Sequence, residues 1–365
     1  MEGQAAEIRE LLMLCKSSRE QGLISAATKD FLKELVVHEN AKVLAISAGL
    51  LSGRHTAVTA LKALRPLVAR RAAKTFEELY DDCPLEHAHM LAAADVEEME
   101  QGTDTHSLVY GEVEFDAFYD VLQLAAADLT SSGGRGLTLY DLGGGTGRAI
   151  FVAALAIDLQ YAIGIELLSR LHDASLRILR RYRRLVRPSL SHPPLVKFYC
   201  GSFLSPEFDW SDGDLVFANS TCFEPELMRG VTERAERMRT GARVITFTTA
   251  LSTPWFRIVH KRKFAMTWGV VTVFIHEKMS LEEYAARTSG LPVNRSIAAA
   301  PGAGALDALS LCPVPEEKVR AADAADPGAV ATTASHRVAA ALGTKMGHDG
   351  VAEPRAAIEP WNLVE

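Results

Sequence analysis

Two acidic residues and a run of glycines mark a segment of the chain that is suited to binding a ligand. The stretch "YDLGGGTGRA" (140–149) has glycine at 4 of its 10 positions and lies between two apolar runs. Asp141 precedes the glycines, and Glu166 stands near the end of the next apolar run, "YAIGIEL" (161–167). Because glycine has no Cβ, a ligand can approach this backbone closely. The pattern therefore predicts a binding loop flanked by two carboxylates.

Two common ligands of glycine loops fit this sequence poorly. A phosphate-binding P-loop has a lysine and a hydroxyl residue after its last glycine, whereas Arg148 follows Gly147 here. A dinucleotide fingerprint requires the spacing G-x-G-x-x-G, and the third glycine of the set Gly143, Gly145 and Gly147 comes one position early. The carboxylate of Asp141 would also repel a pyrophosphate.

S-adenosylmethionine fits the same residues better, since it carries an ammonium, a sulfonium and a ribose but no phosphate. An acid at the end of the first strand, Asp141, can meet the ammonium directly or through water. Glu166 can accept both ribose hydroxyls, and the glycines let the backbone lie against the nucleoside. We therefore expect an S-adenosylmethionine site, with a structural turn or a dehydrogenase site as the alternatives.

The elements around the loop alternate between strand and helix patterns from about residue 106. Short apolar runs predict five strands, and the segments between them have helical character. The predicted strands are "LTLYDL", "YAIGIEL", "LVKFYCGSF", "GDLVFANS" and "ARVITFTT". This order indicates an α/β domain with a mostly parallel sheet. Two further runs, "KFAMTW" and "VVTVFIH", are too close together for a helix between them and predict a terminal antiparallel hairpin.

Composition divides the chain into three parts. Residues 1–95 have helical periodicity, with Ser25 as a predicted helix cap and a break or kink expected at Pro66. Residues 96–280 hold the α/β pattern. Residues 281–365 are rich in alanine, proline and glycine, and we expect a largely disordered tail that contains at most a short helix. The function of the first part is open, and packing or partner binding is the simplest interpretation.

Charge and cysteine usage exclude several classes of protein. The 365 residues carry a net charge of −7, which argues against binding nucleic acid by overall charge alone. The five cysteines are scattered without a CxxC pair, which indicates free thiols and no metal site. The longest apolar stretch near the loop is too short to span a bilayer, and the polar first residues predict no signal peptide. We expect a soluble intracellular protein with no membrane contact.

Further motifs complete a family pattern. They are "VYGEVEFDAF" (109–118), "DLVFANSTCFEPEL" (214–227), "MTWG" (266–269) and "FIH" (274–276). In this order, with the glycine loop, the sequence resembles the Dot-one (disruptor of telomeric silencing) family of non-SET histone lysine methyltransferases over residues 106–278. The resemblance implies a Rossmann-like, seven-strand methyltransferase sheet behind a helical N-terminal module.

The resemblance also assigns roles to individual residues. It implies that Tyr110, Gly111 and Glu112 form a loop that closes over the methionyl end of S-adenosylmethionine. The cofactor groove would further include Asp141, Gly143, Gly145, Gly147, Glu166, Ser202, Phe203 and Asn219, with Phe203 against the adenine. Asn219 and Phe223 would line a narrow channel for the substrate lysine, with Trp268 in its wall and Tyr110 beside it.

Several positions depart from the family pattern. Ser202 stands where the family usually has an acid that binds the adenine amino group. The loop after the fourth strand is usually Asn-Asn-Phe-Ala-Phe, but residues 219–223 read Asn-Ser-Thr-Cys-Phe and lack one channel aromatic. Val273 and Phe274 replace a tyrosine pair before the last histidine of the hairpin. These changes preserve cofactor binding, but they leave the identity of the substrate open.

Three functions follow from these observations, in order of preference. The first is methylation of a protein lysine, in a histone of the nucleosome core, which would place the protein in the nucleus. The second is methylation of another amine, on a non-histone protein or a small molecule, in the nucleus or the cytoplasm. The third is a cofactor-binding scaffold without turnover.

A basic helix and two reactive side chains have ordinary interpretations beside functional ones. The basic helical stretch "LRILRRYRRLVRP" (176–188) presents arginines that could contact the nucleosome or histones or form a solvated face: Arg177, Arg180, Arg181, Arg183, Arg184 and Arg187. The run "HKRK" (260–263) is either a nuclear address or a charged loop. His276 is interpreted as a hydrogen-bonded strand residue and Cys222 as a small apolar filler.

Overall fold

The apolar runs of the middle of the chain pair into one sheet. The computed structural model describes residues 2–38, 40–99, 106–129 and 136–289, and these residues form seven strands. The strands are β1 (Leu137–Leu142), β2 (Leu159–Glu166), β3 (Leu195–Cys200), β4 (Leu215–Ala218), β5 (Arg243–Phe247), β6 (Phe256–Met266) and β7 (Gly269–Lys278). Their order across the sheet is β3-β2-β1-β4-β5-β7-β6.

The direction of the strands places the two acidic residues at one edge. Strands β1 to β5 pair in parallel, whereas β7 is antiparallel to β5 and β6 is antiparallel to β7. Asp141 pairs with Gly164 of β2 on one side and with Phe217 of β4 on the other. The predicted α/β architecture with a terminal antiparallel hairpin is confirmed, and the carboxyl ends of β1, β2 and β4 meet where ligands bind in such sheets.

Strand β6 is longer than the sequence predicted. It begins at Phe256, so the run "HKRK" (260–263) lies within an edge strand and not in a charged loop. The pairing continues from Phe256 opposite Lys278 to Met266 opposite Gly269. Exposed basic side chains on an edge strand oppose pairing with another sheet, which accounts for a charged run in an extended segment.

Ten helices are present among the described residues. They are α1 (Glu2–Glu20), α2 (Ala26–Val37), α3 (Ala41–Leu51), α4 (Ala57–Leu79), α5 (Leu85–Glu98), α6 (Phe115–Ala126), α7 (Arg148–Ala156), α8 (Ser169–Leu185), α9 (Pro225–Ala235) and α10 (Leu281–Ser289). Helix α7 follows the glycine loop, and every residue after Arg148 in it is buried. It packs against α2, α4 and α6 as well as β1 and β2. A helix that is apolar on all faces requires such cover, so the early helices shield the one that supports the loop.

The early helices begin at residues that the sequence marks as caps. The Ser25 side chain accepts a hydrogen bond from the Thr28 amide at 3.1 Å, which confirms the predicted cap of α2.

Helix α4 continues through Pro66, so the helix break expected there is absent. Proline removes one backbone hydrogen bond, but Leu64 and Val68 on either side are each only 1% exposed, so packing holds the helix together.

Two charged side chains connect distant elements. Asp95 on α5 accepts a hydrogen bond from the Arg170 amide at 2.7 Å and from the Ser169 hydroxyl at 3.2 Å, so it caps the first turn of α8. Arg243 on β5 is buried, pairs with Glu277 at 2.7 Å and donates to the Ala127 carbonyl at 2.6 Å. Removing one partner of such a buried pair strongly destabilises a fold.

The end of the described chain packs on the terminal hairpin. The Tyr284 ring of α10 stacks on Trp255 with their centroids 3.7 Å apart. The tail predicted for residues 281–365 therefore begins with a helix, and the rest of that prediction, from residue 290 on, lies outside the described residues. None of the helices described is both long enough and apolar enough to span a lipid bilayer.

Candidate cofactor site at the carboxyl edge of the sheet

Glu166 is held in place by backbone amides at the end of β2. One carboxylate oxygen accepts the Gly145 amide at 2.7 Å, and the other accepts the Leu168 amide at 2.8 Å. The side chain is buried, with a residue exposure of 7%. A carboxylate oxygen has two acceptor sites, so each oxygen retains one for a ligand hydroxyl. The arrangement fits a group that presents two hydroxyls, such as a ribose.

Asp141 is buried in the same place, with an exposure of 2%. Burial raises its pKa to about 8, and the nearby Glu166 carboxylate adds to the rise. Burial also raises the pKa of Glu166, while the amides of Leu168 and Gly145 oppose that rise. Two buried carboxyl groups that are costly to ionise together favour a positively charged ligand.

The segment 109–114 lies over the glycine loop. Gly145 has a positive φ of +53°, and a Cβ on it would lie 2.7 Å from Cε2 of Tyr110, so the tyrosine ring rests directly on this glycine. A Cβ on Gly111 would lie 3.0 Å from Cε3 of Trp268, which places the tryptophan of the hairpin against the same segment. Both contacts close the groove from above.

Glu112 anchors that segment from beneath. It is 5% exposed, and its carboxylate accepts hydrogen bonds from the Tyr110 hydroxyl and, at 2.8 Å, from the Thr146 hydroxyl. Its other oxygen forms an ion pair with Arg148. Burial raises the pKa of Glu112, and Arg148 and the two hydroxyl groups oppose that rise.

Asn219 connects the end of β4 to the same segment. Its Nδ2 donates to the Gly111 carbonyl at 3.0 Å, and its Oδ1 accepts from the Thr221 hydroxyl at 3.1 Å. The loop that carries it is fixed by Ser220, whose hydroxyl donates to the Phe247 carbonyl at 2.7 Å. Asn219 is thus held at the edge of the groove with both ends of its amide engaged.

Most of the residues that the sequence singled out lie around one cavity. Those that line it are Tyr110, Gly111, Glu112, Asp141, Gly143, Gly145 and Asn219, with Val113, Gly144, Arg148, Ala149 and Phe217. Glu166 adjoins it through its bond to Gly145, and Trp268 through its contact with Gly111. The segments that carry these residues are far apart in the sequence, and the sheet brings them together.

Besides Glu166 and Trp268, four predicted site residues lie outside the lining of that cavity. Gly147 caps α7 with a φ of +91°, and a Cβ there would lie 2.5 Å from Cζ of Phe198, so this glycine faces the core. Phe203 stacks on Phe223 with ring centroids 5.8 Å apart. Ser202 is exposed, and its hydroxyl accepts from the Leu204 amide at 3.2 Å.

Two polar residues of the loop itself were not predicted to belong to the site. Thr146 and Arg148 both contact Glu112, and Arg148 also lines the cavity. The only feature of the sequence that points to these two residues is that they are polar side chains in an apolar and glycine-rich stretch. Tyr80, the residue that follows α4, also reaches the loop, since its hydroxyl donates to the Thr146 carbonyl at 3.2 Å.

The two ordinary interpretations of reactive side chains agree with their surroundings. His276 is buried in β7 with Nε2 3.1 Å from the Thr246 hydroxyl, and burial lowers its pKa to about 4, so it is neutral at physiological pH. Burial raises the pKa of Cys222, which keeps this side chain a thiol. Neither side chain has the character of a base or a nucleophile.

The strand order with its terminal antiparallel hairpin, and the acidic and glycine residues at the carboxyl edge, define a methyltransferase-like α/β fold. Residues 89–279 match the model of the family described as histone methylation protein DOT1, which is more than half of the chain. The chain therefore belongs to the DOT1 family.

Individual relatives are similar over parts of the chain. A histone-lysine N-methyltransferase from Dictyostelium discoideum, specific for lysine 79 of histone H3, is 29% identical over 179 residues, which cover 48% of this chain and 9% of that relative. Among solved structures, TrmN from Thermus thermophilus has a TM-score of 0.34 at 18% identity and covers 44% of this chain and 49% of that one. MtNAS in complex with S-adenosylmethionine has a TM-score of 0.34 at 14% identity, and the match covers 61% of this chain and 79% of that one.

Proposed function

We propose that this protein is an S-adenosylmethionine-dependent protein-lysine N-methyltransferase that acts on a histone in the nucleosome core. The observation that carries the proposal is the pair of buried carboxyl groups, Asp141 and Glu166, on either side of the glycine loop in a chain of the DOT1 family. When bound there, S-adenosylmethionine would supply a methyl group activated by a positively charged sulfur. The nuclear location follows if the substrate is a histone.

The site residues fit this cofactor. The free acceptor positions of Glu166 suit the two ribose hydroxyls, since its other positions are taken by the Gly145 and Leu168 amides. The buried Asp141 carboxyl suits the ammonium, because a cation beside it favours its ionised form. The Tyr110 ring over Gly145 would exclude water from the methionyl end.

The substrate side of the site would be shaped by the loop after β4 and by the hairpin. A lysine must lose its proton before its nitrogen can accept a methyl group, and an apolar channel lowers its pKa by desolvation. Phe223 and Trp268, both partly buried, supply aromatic surface for such a channel, and Asn219 can orient the amine. The chain then contributes alignment and exclusion of water, without a dedicated base.

Methylation of a different amine is the second candidate, and the altered loop after β4 is the observation behind it. Residues 219–223 place Thr221 and Cys222 where a family member has two more apolar positions, and Val273 and Phe274 carry no hydroxyl. The channel is therefore altered where the substrate would enter.

A transfer assay with labelled S-adenosylmethionine separates these functions. Nucleosomes, free histones and a cell lysate serve as acceptors, and Glu166→Ala serves as the inactive control. Label on a histone lysine in nucleosomes supports the proposal, whereas label only on other proteins or small molecules selects the second candidate. Binding of the cofactor without transfer to any acceptor would indicate a scaffold, and no binding at all would overturn all three.

We propose that the exposed arginines of the basic helix α8 contact nucleosomal DNA. Arg177, Arg180 and Arg184 are exposed and border a surface cleft. Arg181 differs from them, because it pairs with Asp82 and donates to the Glu78 carbonyl at 2.6 Å, which ties α8 to the end of α4. Lysine and arginine contacts to phosphates make binding sensitive to salt.

The arginine proposal is tested with the double variant Arg177→Ala/Arg184→Ala. Nucleosome affinity should fall. The slope of log affinity against log salt concentration should also become shallower by about two, one for each phosphate contact that is lost. Arg229→Ala on α9, where the side chain is 65% exposed, is the matched control. Equal affinities and salt slopes for the double variant and the unmodified protein would contradict the contact.

A further inference from the structure

Arg148 occupies a position that is unfavourable for a cation. It is the first residue of α7, where the helix dipole presents its positive end. Its side chain is nonetheless only 18% exposed. A mostly buried guanidinium at this place needs strong partners, and they come from two other elements.

The first partners are two aromatic rings at the C-terminal end of α4: Phe76 lies in its last turn and Tyr80 directly follows it. The guanidinium carbon of Arg148 lies 4.3 Å from the Tyr80 ring centroid and 5.5 Å from the Phe76 ring centroid. Both rings are buried, with exposures of 4% and 3%. A desolvated cation over aromatic faces is attracted to them, and the rings also fix the plane of the guanidinium.

The second partner is Glu112 in the segment over the groove. Arg148 pairs with one oxygen of its carboxylate, while Tyr110 and Thr146 donate to the other. Tyr80 donates to the Thr146 carbonyl at 3.2 Å, which completes a circuit of contacts among Arg148, Glu112, Thr146 and Tyr80. The Tyr110 ring that the circuit orients is the one that rests on Gly145.

We propose that Arg148 is a positioning residue that holds the segment 109–114 closed over the cofactor groove, and that Phe76 and Tyr80 hold Arg148 in place. Helix α4 thereby sets the affinity for the cofactor without touching it. The inference rests on the proposed function for its ligand, although the circuit itself consists of contacts within the protein.

The size of the effect follows from the burial of Glu112. Its side chain is 4% exposed, so without Arg148 it must turn toward water or take up a proton. Either response releases Tyr110 from its place above Gly145. Coupling through such a network changes affinity by roughly tenfold. Turnover at saturating cofactor should change much less, because the bound cofactor itself favours the closed position of the segment.

Three variants separate positioning from direct contact. Arg148→Gln removes the charge, and Arg148→Lys keeps the charge but loses the planar stack. Phe76→Leu removes one ring on α4 and leaves Glu112 and the groove untouched. The matched control is Phe31→Leu, because the Phe31 ring is also 3% exposed and lies 5.9 Å from the guanidinium carbon of Arg71 within the same group of helices.

Two measurements are made on each full-length variant. Titration calorimetry with S-adenosylmethionine gives Kd, and KM and kcat are measured with the acceptor that the transfer assay identifies. We expect Kd and KM to rise about tenfold for Arg148→Gln and severalfold for Phe76→Leu, with kcat nearly unchanged, partial rescue by Arg148→Lys and no change for Phe31→Leu. Hydrogen exchange of the amides of residues 111–113 is measured without cofactor. It should be faster in Arg148→Gln and Phe76→Leu than in the unmodified protein and in Phe31→Leu.

The outcomes distinguish failure of this inference from failure of the proposed function. If the unmodified protein binds no S-adenosylmethionine, the proposed function is wrong, and hydrogen exchange still decides whether the circuit closes the segment. If Arg148→Gln weakens binding while Phe76→Leu does not, Arg148 contacts the cofactor directly and the role of α4 is refuted. Equal exchange rates in all variants would refute the circuit.

Discussion

Binding of the cofactor should release a proton from Asp141. In the free protein, burial and the neighbouring Glu166 raise the pKa of this carboxyl to about 8. A bound ammonium group favours the ionised carboxylate and lowers that pKa back toward the ordinary value of an aspartate, about 4. Binding at neutral pH is therefore coupled to loss of the Asp141 proton, and Asp141→Asn, which preserves the shape of the side chain, removes the coupling.

The magnitude follows from the raised pKa. A group with a pKa of about 8 is about 90% protonated at pH 7 and almost fully protonated at pH 6. The unmodified protein should release about 0.9 proton from this group on binding at pH 7, and its Kd should fall about tenfold from pH 6 to pH 7. That change corresponds to about 1.4 kcal/mol for each pH unit.

Titration calorimetry measures the released protons directly. The enthalpy of binding is recorded at pH 6 and pH 7 in buffers with different ionisation enthalpies, and the slope gives the proton count. These pH values keep the ammonium of S-adenosylmethionine mostly protonated, since an α-amino group titrates near pH 8. Asp173→Asn on α8, at a side chain that is 70% exposed, is the matched control and should behave like the unmodified protein.

The proton counts of the unmodified protein and of Asp141→Asn test whether Asp141 loses a proton when the cofactor binds. Glu112 also has a raised pKa and is present in both proteins, so its contribution cancels. Glu166 interacts with Asp141, so the difference between the two counts gives the proton that the Asp141–Glu166 pair loses when Asp141 is present. A difference of nearly one proton supports the assignment of this carboxyl to the ammonium. Equal counts for the unmodified protein and Asp141→Asn, with equal pH dependence of Kd, would refute it.

Three substitutions test the remaining geometry. Gly145→Ala should weaken cofactor binding at least tenfold by displacing the tyrosine ring, whereas Gly53→Ala, at a similar φ of +71° in open space, should cost about 1 kcal/mol of stability and leave binding intact. In urea unfolding, Arg181→Gln should lower the free energy of unfolding by about 1 kcal/mol, whereas Arg180→Gln should not; identical midpoints would contradict the tether to α4. Asn219→Ala should lower turnover and also weaken cofactor binding, roughly tenfold, because its amide holds the segment over the groove; an unchanged Kd would show that this bond is dispensable.

The core of the sheet and the acidic ends of its strands could be predicted because their signals are local. Each parallel strand is a short apolar run bounded by glycine or polar residues, and Asp141 and Glu166 stand at the ends of two such runs. The first part of the edge strand β6, before the run "KFAMTW", carries no such signal, since its exposed positions include His260, Lys261 and Arg262. A charged edge and a charged loop look the same in a sequence.

The contacts between distant segments could not be predicted. Arg148 belongs to the quoted glycine stretch, but the rings near it lie at the end of α4 and directly after it. Nothing in the sequence there marks Phe76 and Tyr80 as different from other core residues. The bond from Asn219 to Gly111 likewise depends on how the loop after β4 meets the segment before α6. Such pairings follow from the tertiary fold alone.

The cap that Asp95 provides for α8 limits how this enzyme fold can be recombined. The first turn of α8 follows Glu166 directly, and its Arg170 amide depends on a carboxylate from α5. A chimera that grafted the sheet of this protein onto another set of helices would leave that turn without its acceptor, a few residues from the buried Glu166. A transferable catalytic unit would therefore begin no later than α5, whichever substrate the grafted helices were chosen to recruit.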